Sequence, residues 1–269
     1  MSRSSILTGL LLAGTAGATL AQPVTITFDN LQSDGGFFFT PVWVGLHDGS
    51  FDSYDGGTFA SAWPGLTELA EDGDTGPISA QFGSVTGGVG VDGTLFGSDG
   101  HPTLAPGESG SIVLEAGDAT TNRYFSYASM LVPTNDIFAA NGNPFAHEVF
   151  DAAGNFNGPL TIEIYGSSLN DNGTEVNDAF GGAAFSANGG VGADENFVIR
   201  NVFEGANLGT DAQYFASFVG TNTATGELIT HVPGPDKLLA RITVVPSPAS
   251  ASLLAAAGIW GARRRRNAK

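Results

Sequence analysis

Between residues 22 and 245 the chain keeps returning to one pattern. Short runs rich in apolar, aromatic and hydroxylated residues are separated by clusters of Gly, Asn and Asp. Val24-Thr25-Ile26-Thr27-Phe28 alternates with the period of two that a half-buried strand requires. Further strands are expected over 37–46, 111–114, 124–132, 160–165, 213–219 and 238–245, with turn-forming clusters between them. One segment departs from this pattern. Over 60–70, Ala62, Leu66, Leu69 and Ala70 follow near-helical spacing, with Pro64 suited to a first helical position and Gly73 beyond the end. The reading is therefore all-β, an antiparallel β-sandwich with one short helix and long Gly-rich loops over 87–110 and 179–196. No internal period argues for a propeller or solenoid. A span of this size commonly fills one sandwich domain. With no cysteine, its stability must come from a core or from bound ions.

Charge divides the chain into three. The formal net charge is −17, and charged residues make up 14% of the sequence, below the roughly 25% of ordinary globular domains. Of the basic residues, only Arg123, Arg200, Lys237 and Arg241 lie in the central part, against all 27 acids. Such a chain repels phosphate backbones, which excludes nucleic acid as a partner. Residues 1–21 place Arg3 before an apolar run and reach small residues at Ala18 and Ala21, the layout of a secretory signal peptide cleaved before Gln22. Residues 246–269 run from Pro246-Ser247-Pro248 through an apolar stretch to Arg263, Arg264, Arg265 and Arg266. Fourteen apolar residues span about 21 Å as a helix, short of the roughly 30 Å hydrocarbon core. The Arg cluster would hold this end on the cytoplasmic side, so transient membrane association is expected. The tail resembles the PEP-CTERM sorting signal of exopolysaccharide-producing bacteria, with Ser247 standing where that family carries Glu. The resemblance implies export and processing at the cell envelope.

The acids come in bursts: Asp48, Asp52 and Asp55; Glu71, Asp72 and Asp74; Asp171, Glu175 and Asp178; Asp194 and Glu195. Carboxylates brought together raise one another's pKa unless a cation neutralises them, and a hard divalent ion, Ca2+ above all, accepts six to eight oxygens from carboxylates, amides, carbonyls and water. For most of these residues a solvated acidic surface is the simpler account. The segment Leu169-Asn170-Asp171-Asn172-Gly173-Thr174-Glu175-Val176-Asn177-Asp178 stands apart, because Gly173 permits a tight reversal that points Asp171 and Glu175 back at one ion. It is not an EF-hand: with Ser168 in the first position, Ala179 occupies the twelfth, where a bidentate Glu is needed. Ligands must come from elsewhere, and Asp136 follows a Pro-containing strand end.

Two segments now carry a resemblance. Met130-Leu131-Val132-Pro133-Thr134-Asn135-Asp136-Ile137-Phe138, followed by Ile162-Glu163-Ile164-Tyr165 and Asp171-Asn172-Gly173-Thr174-Glu175, resembles the spondin domain of F-spondin and mindin. The opening strand over 24–28 supports it. So do the turn His47-Asp48-Gly49-Ser50, the run Leu69-Ala70-Glu71-Asp72-Gly73 and the closing strand over 239–244, and the order covers nearly all of 23–245. The resemblance implies a C2-like antiparallel sandwich with calcium in a loop-lined site. The family's calcium-binding aspartates map onto Asp136, Asp171 and Glu175. Glu175 replaces an Asp, Asn172 an Ala, and the family's cysteines are missing.

Enzyme signatures are weak. His47, His101, His147 and His231 are isolated, with no zinc spacing, and Gly107-Glu108-Ser109-Gly110 is not a nucleophile elbow. Trp43 and Trp63 suit packing better than sugar stacking. The expected function is a non-catalytic, calcium-binding adhesion or matrix module at the cell envelope that contacts extracellular polysaccharide or a surface protein. The alternatives are a secreted polysaccharide hydrolase using a carboxylate pair and a passive acidic matrix protein.

Overall fold

The computed structural model describes residues 22–98, 101–188, 192–205 and 207–247; the expected signal segment over 1–21 and nearly all of the tail expected over 246–269 lie outside them. In chain order the strands are β1 (Pro23–Asn30), β2 (Phe38–Phe39), β3 (Val42–His47), β4 (Val91–Leu95), β5 (Ser109–Glu115), β6 (Tyr124–Val132), β7 (Ile137–Ala140), β8 (Leu160–Tyr165), β9 (Leu169–Asp171), β10 (Arg200–Asn201) and β11 (Leu238–Pro246). The helices are α1 (Leu66–Asp72), α2 (Gly76–Val85) and α3 (Asn207–Ser217). A four-stranded sheet in the order β5-β1-β11-β8 faces a seven-stranded sheet in the order β10-β9-β7-β6-β3-β4, with β2 paired to β6. The pairings are antiparallel, so the chain is an all-β sandwich.

Side-chain alternation builds the core. In β1 every second residue is buried, placing Val24, Ile26 and Phe28 inward beside Ile242 and Val244 of β11. They meet Val44, Leu46, Phe125 and Leu131 of the facing sheet. Each fully buried residue of this kind contributes about 1.5–3 kcal/mol through removal of apolar surface from water. β3 and β6 are buried on both faces, because α1 and α2 cover the outer side of their sheet. There Trp43, Phe51 and Phe82 form an aromatic cluster over Leu66, Leu69 and Ile78.

Four expectations need correction. The run 213–219 is not a strand: α3 covers it to Ser217, and Tyr214, Phe215 and Phe218 share one face by helical spacing, the latter two closing on Phe37. The strand over 37–46 breaks at Thr40-Pro41, where Pro41 has no N–H to donate. The expected helix splits, a 3-10 turn at Ala60–Ala62 preceding α1, because Gly65 holds φ +88 between them. Helices α2 and α3 add to the single one expected, and β4 forms inside the expected loop over 87–110. Gly73 does end α1 in the left-handed region, with φ +69.

Candidate functional site

The connection from β6 to β7 and the loop after β9 meet because β7 and β9 pair, with Ile137 opposite Asp171. Asp136, just before Ile137, thereby lies beside the start of the 172–178 loop, and the Asn172 N–H donates to the Asp136 main-chain carbonyl at 3.2 Å. Gly173 turns this loop with φ +71, and a Cβ there would crowd the main chain of Phe197 and Val198. The returning strand-like stretch holds it in place: Glu195 N–H bonds Thr174 O at 2.7 Å and Phe197 N–H bonds Gly173 O at 3.0 Å.

Asp136, Asp171 and Asn172 are each fully buried, at 0% exposure. Asp136 Oδ2 accepts the N–H groups of Thr174 at 2.8 Å and Glu175 at 3.0 Å, and the Thr174 hydroxyl at 3.2 Å. Asp171 Oδ1 accepts Gly173 N–H at 2.8 Å, while its Oδ2 accepts both the Asn177 amide and Arg200 Nη2, the latter at 2.8 Å. Arg200 also contacts Glu195 Oε2 at 3.3 Å and lies over the Phe197 ring at 4.9 Å. Among the described residues, no donor reaches Asp136 Oδ1, Asn172 Oδ1 or Asn177 Oδ1, although all three atoms are buried. Native interiors leave few such oxygens unserved. Burial, and then the neighbouring Asp171 carboxylate, push Asp136 up to about 8.

Of the three residues expected to bind metal, Asp136 and Asp171 come together in this buried cluster. Glu175 joins it through its main-chain N–H. Its carboxylate lies farther out, raised above the usual range first by burial and then by Glu71, with Asp72 and Asp194 adding to the repulsion. Glu71 is raised as well, by burial and by Asp72 and Asp194. The site thus has a buried pair of carboxylates and a half-exposed acidic rim. Reasoning from sequence missed Asn177, Arg200 and Glu71 as members. Arg200 was visible as one of four cations in the acidic part of the chain; nothing in the spacing showed which carboxylate it would meet.

Among the described residues, no group of three or more His, Cys, Asp or Glu side chains is arranged to hold a metal ion. The inner donor set is of a different kind: the buried Asp136, Asp171 and Asn172 and the half-buried Asn177, with three buried oxygens lacking donors. That chemistry suits a hard cation that accepts amide oxygens as readily as carboxylates, and it does not suit zinc, which prefers N and S ligands. The rim carries exposed apolar side chains, Val176, Phe180 and Phe197, at 43%, 60% and 50% exposure. Next to Arg200 a 740 Å3 groove opens, lined by Tyr54, Asp55, Asn170, Asn201 and Glu204. Elsewhere His47 and Trp43 are fully buried packing residues. No protein-family model and no curated protein matches the chain.

Proposed function

We propose that this chain is a spondin-type, C2-like calcium-binding adhesion module, non-catalytic, exported by its N-terminal segment and brought to the cell envelope by its PEP-CTERM-like tail. The observation that carries the reading is the buried pair Asp136 and Asp171 with unserved oxygens on Asp136, Asn172 and Asn177. Bound there, Ca2+ would supply the positive charge that Asp136 lacks, since Arg200 pairs with Asp171. Asp136, Asp171 and the two amides would hold it, and Glu175 would complete the lining from the solvent side. The chain's own part is to fix these oxygens: the paired β7 and β9 set the two aspartates, and the 172–178 loop closes over them. Glu71, Asp72 and Asp194 would draw cations inward by their combined field.

Fixing this loop also fixes the rim that bears Val176, Phe180 and Phe197, a surface suited to an extracellular polysaccharide or surface protein. Among the described residues no helix is long and apolar enough to cross a membrane. Adding the purified protein to cells of the strain that makes it, in calcium and in EGTA, tests the reading. The cell-bound fraction should fall several-fold in EGTA and with Asp136→Ala in calcium; equal retention in all three would contradict it.

A further inference from the structure

The chain carries its own competitor for the ion. Asp171 is fully buried and both its oxygens are already engaged. Its Oδ2 receives two donors, the Asn177 amide and the Arg200 guanidinium. A carboxylate oxygen offers two lone pairs in its plane, so this atom can bind a cation only if one donor leaves. Asn177 is a neutral partner from the same loop. Arg200 is positively charged, and a guanidinium held against the oxygen that faces a divalent ion would repel that ion.

Arg200 also has somewhere to go. It already touches Glu195 Oε2 through Nη1 at 3.4 Å and Nη2 at 3.3 Å, and it lies over the face of Phe197. Its side chain is 15% exposed, and beside it opens the 740 Å3 groove. The surface pairs Arg123–Glu148 and Arg241–Glu163 show a different arrangement, with both partners at least 28% exposed. Resting on the calcium reading above, we infer that Arg200 is the internal counter-ion of the metal-free site: it occupies Asp171 when no ion is present, and yields it by pivoting onto Glu195, which sets how much calcium is needed to fill the site. Two substitutions then act in opposite directions. Arg200→Gln removes the competitor and tightens calcium binding. Glu195→Gln removes the residue that receives the displaced guanidinium and weakens it. A prop that merely stiffened the loop would weaken binding in both cases.

The test is calorimetric titration of calcium chloride into the EGTA-stripped full chain, as wild type, Arg200→Gln, Arg200→Lys and Glu195→Gln, with melting temperatures recorded without calcium. The expected result is a dissociation constant about tenfold lower for Arg200→Gln, near wild type for Arg200→Lys and several-fold higher for Glu195→Gln. Without calcium, Arg200→Gln should melt below wild type, since it leaves Asp171 short of a charged partner in the interior. If it does not fold, Arg200→Lys decides: binding near wild type keeps the competitor role, which needs only the charge, whereas clearly weaker binding would mean that the guanidinium fork between Asp171 and Glu195 is a prop and would overturn that role. Wild-type binding with Arg200→Gln unchanged or weaker would overturn the competitor role and leave the calcium site standing. No calcium binding by wild type or by Arg200→Gln would remove both.

Discussion

His47 shows how one buried side chain settles its own protonation state. The Gly49 N–H donates to Nδ1 at 3.0 Å, so Nδ1 must be an acceptor, and Nε2 therefore carries the hydrogen it shares with Ser126 Oγ at 2.9 Å. Protonating Nδ1 would set two donors against each other in a site closed to water, and burial pushes the imidazole down to about 4. The sign follows. Between pH 6.5 and 4 the unfolded chain binds a proton here that the folded chain refuses, so the stability contribution is complete above 6.5 and is lost as pH falls through this window. The loss amounts to about 3 kcal/mol. Chemical denaturation of wild type and His47→Gln across these pH values should show the difference between them changing by that amount; a constant difference would mean the ring titrates normally. At the same scale, Asp136 and Asp171 were legible as candidates, since each lies in a short segment whose Pro, Gly and Asp announce a turn at a strand end. Arg200 and Asn177 were not, because their roles depend on which carboxylate the fold brings to them.

Among elements, strands were legible where apolar residues alternate or run together between turn clusters, as in β1, β6, β8 and β11. The sequence misled over 213–219, where neighbouring aromatics look like a strand until Tyr214 on α3 and Phe218, just past its end, are seen to lie four apart on one buried face. Helix α2 was hidden because its apolar pattern is thin: only Ile78 and Phe82 are buried, and Gly and Ser fill much of the rest. The junction before α1 rests on one residue. Gly65 holds φ +88, and a Cβ there would overlap the main chain of Pro77 and Ile78 at the start of α2. Gly65→Ala should therefore cost about 2–4 kcal/mol, combining left-handed strain with displacement of α2. Urea unfolding would show it as a lower midpoint at unchanged slope. A midpoint equal to wild type would mean that α1 and α2 are not packed this closely. Because α1 leads into Glu71 and Asp72, the same variant should weaken the acidic rim along with the fold.

For the whole molecule, a net charge of −17 and the lack of any cysteine leave few means of stabilising the sandwich beyond its core. The core is large and aromatic, yet it closes over two carboxylates with Arg200 shared between Asp171 and Glu195. An ion that binds only the folded chain stabilises it in proportion to the logarithm of its concentration over the dissociation constant. With the 10⁻⁴ M affinity typical of extracellular calcium modules, about 10 mM calcium would add roughly 2.7 kcal/mol, or about 5–10 °C in a domain of this size. Asp136→Asn keeps the side chain's shape and cannot become the carboxylate that an ion would bind, so the fold survives while the site does not. The closest test is the melting temperature in calcium minus that in EGTA, for wild type and Asp136→Asn at neutral pH. The expected outcome is a rise of about 5–10 °C for wild type and none for the variant. Equal melting with and without calcium in wild type, or an equal rise in both proteins, would contradict a cation held by the Asp136–Asp171 pair.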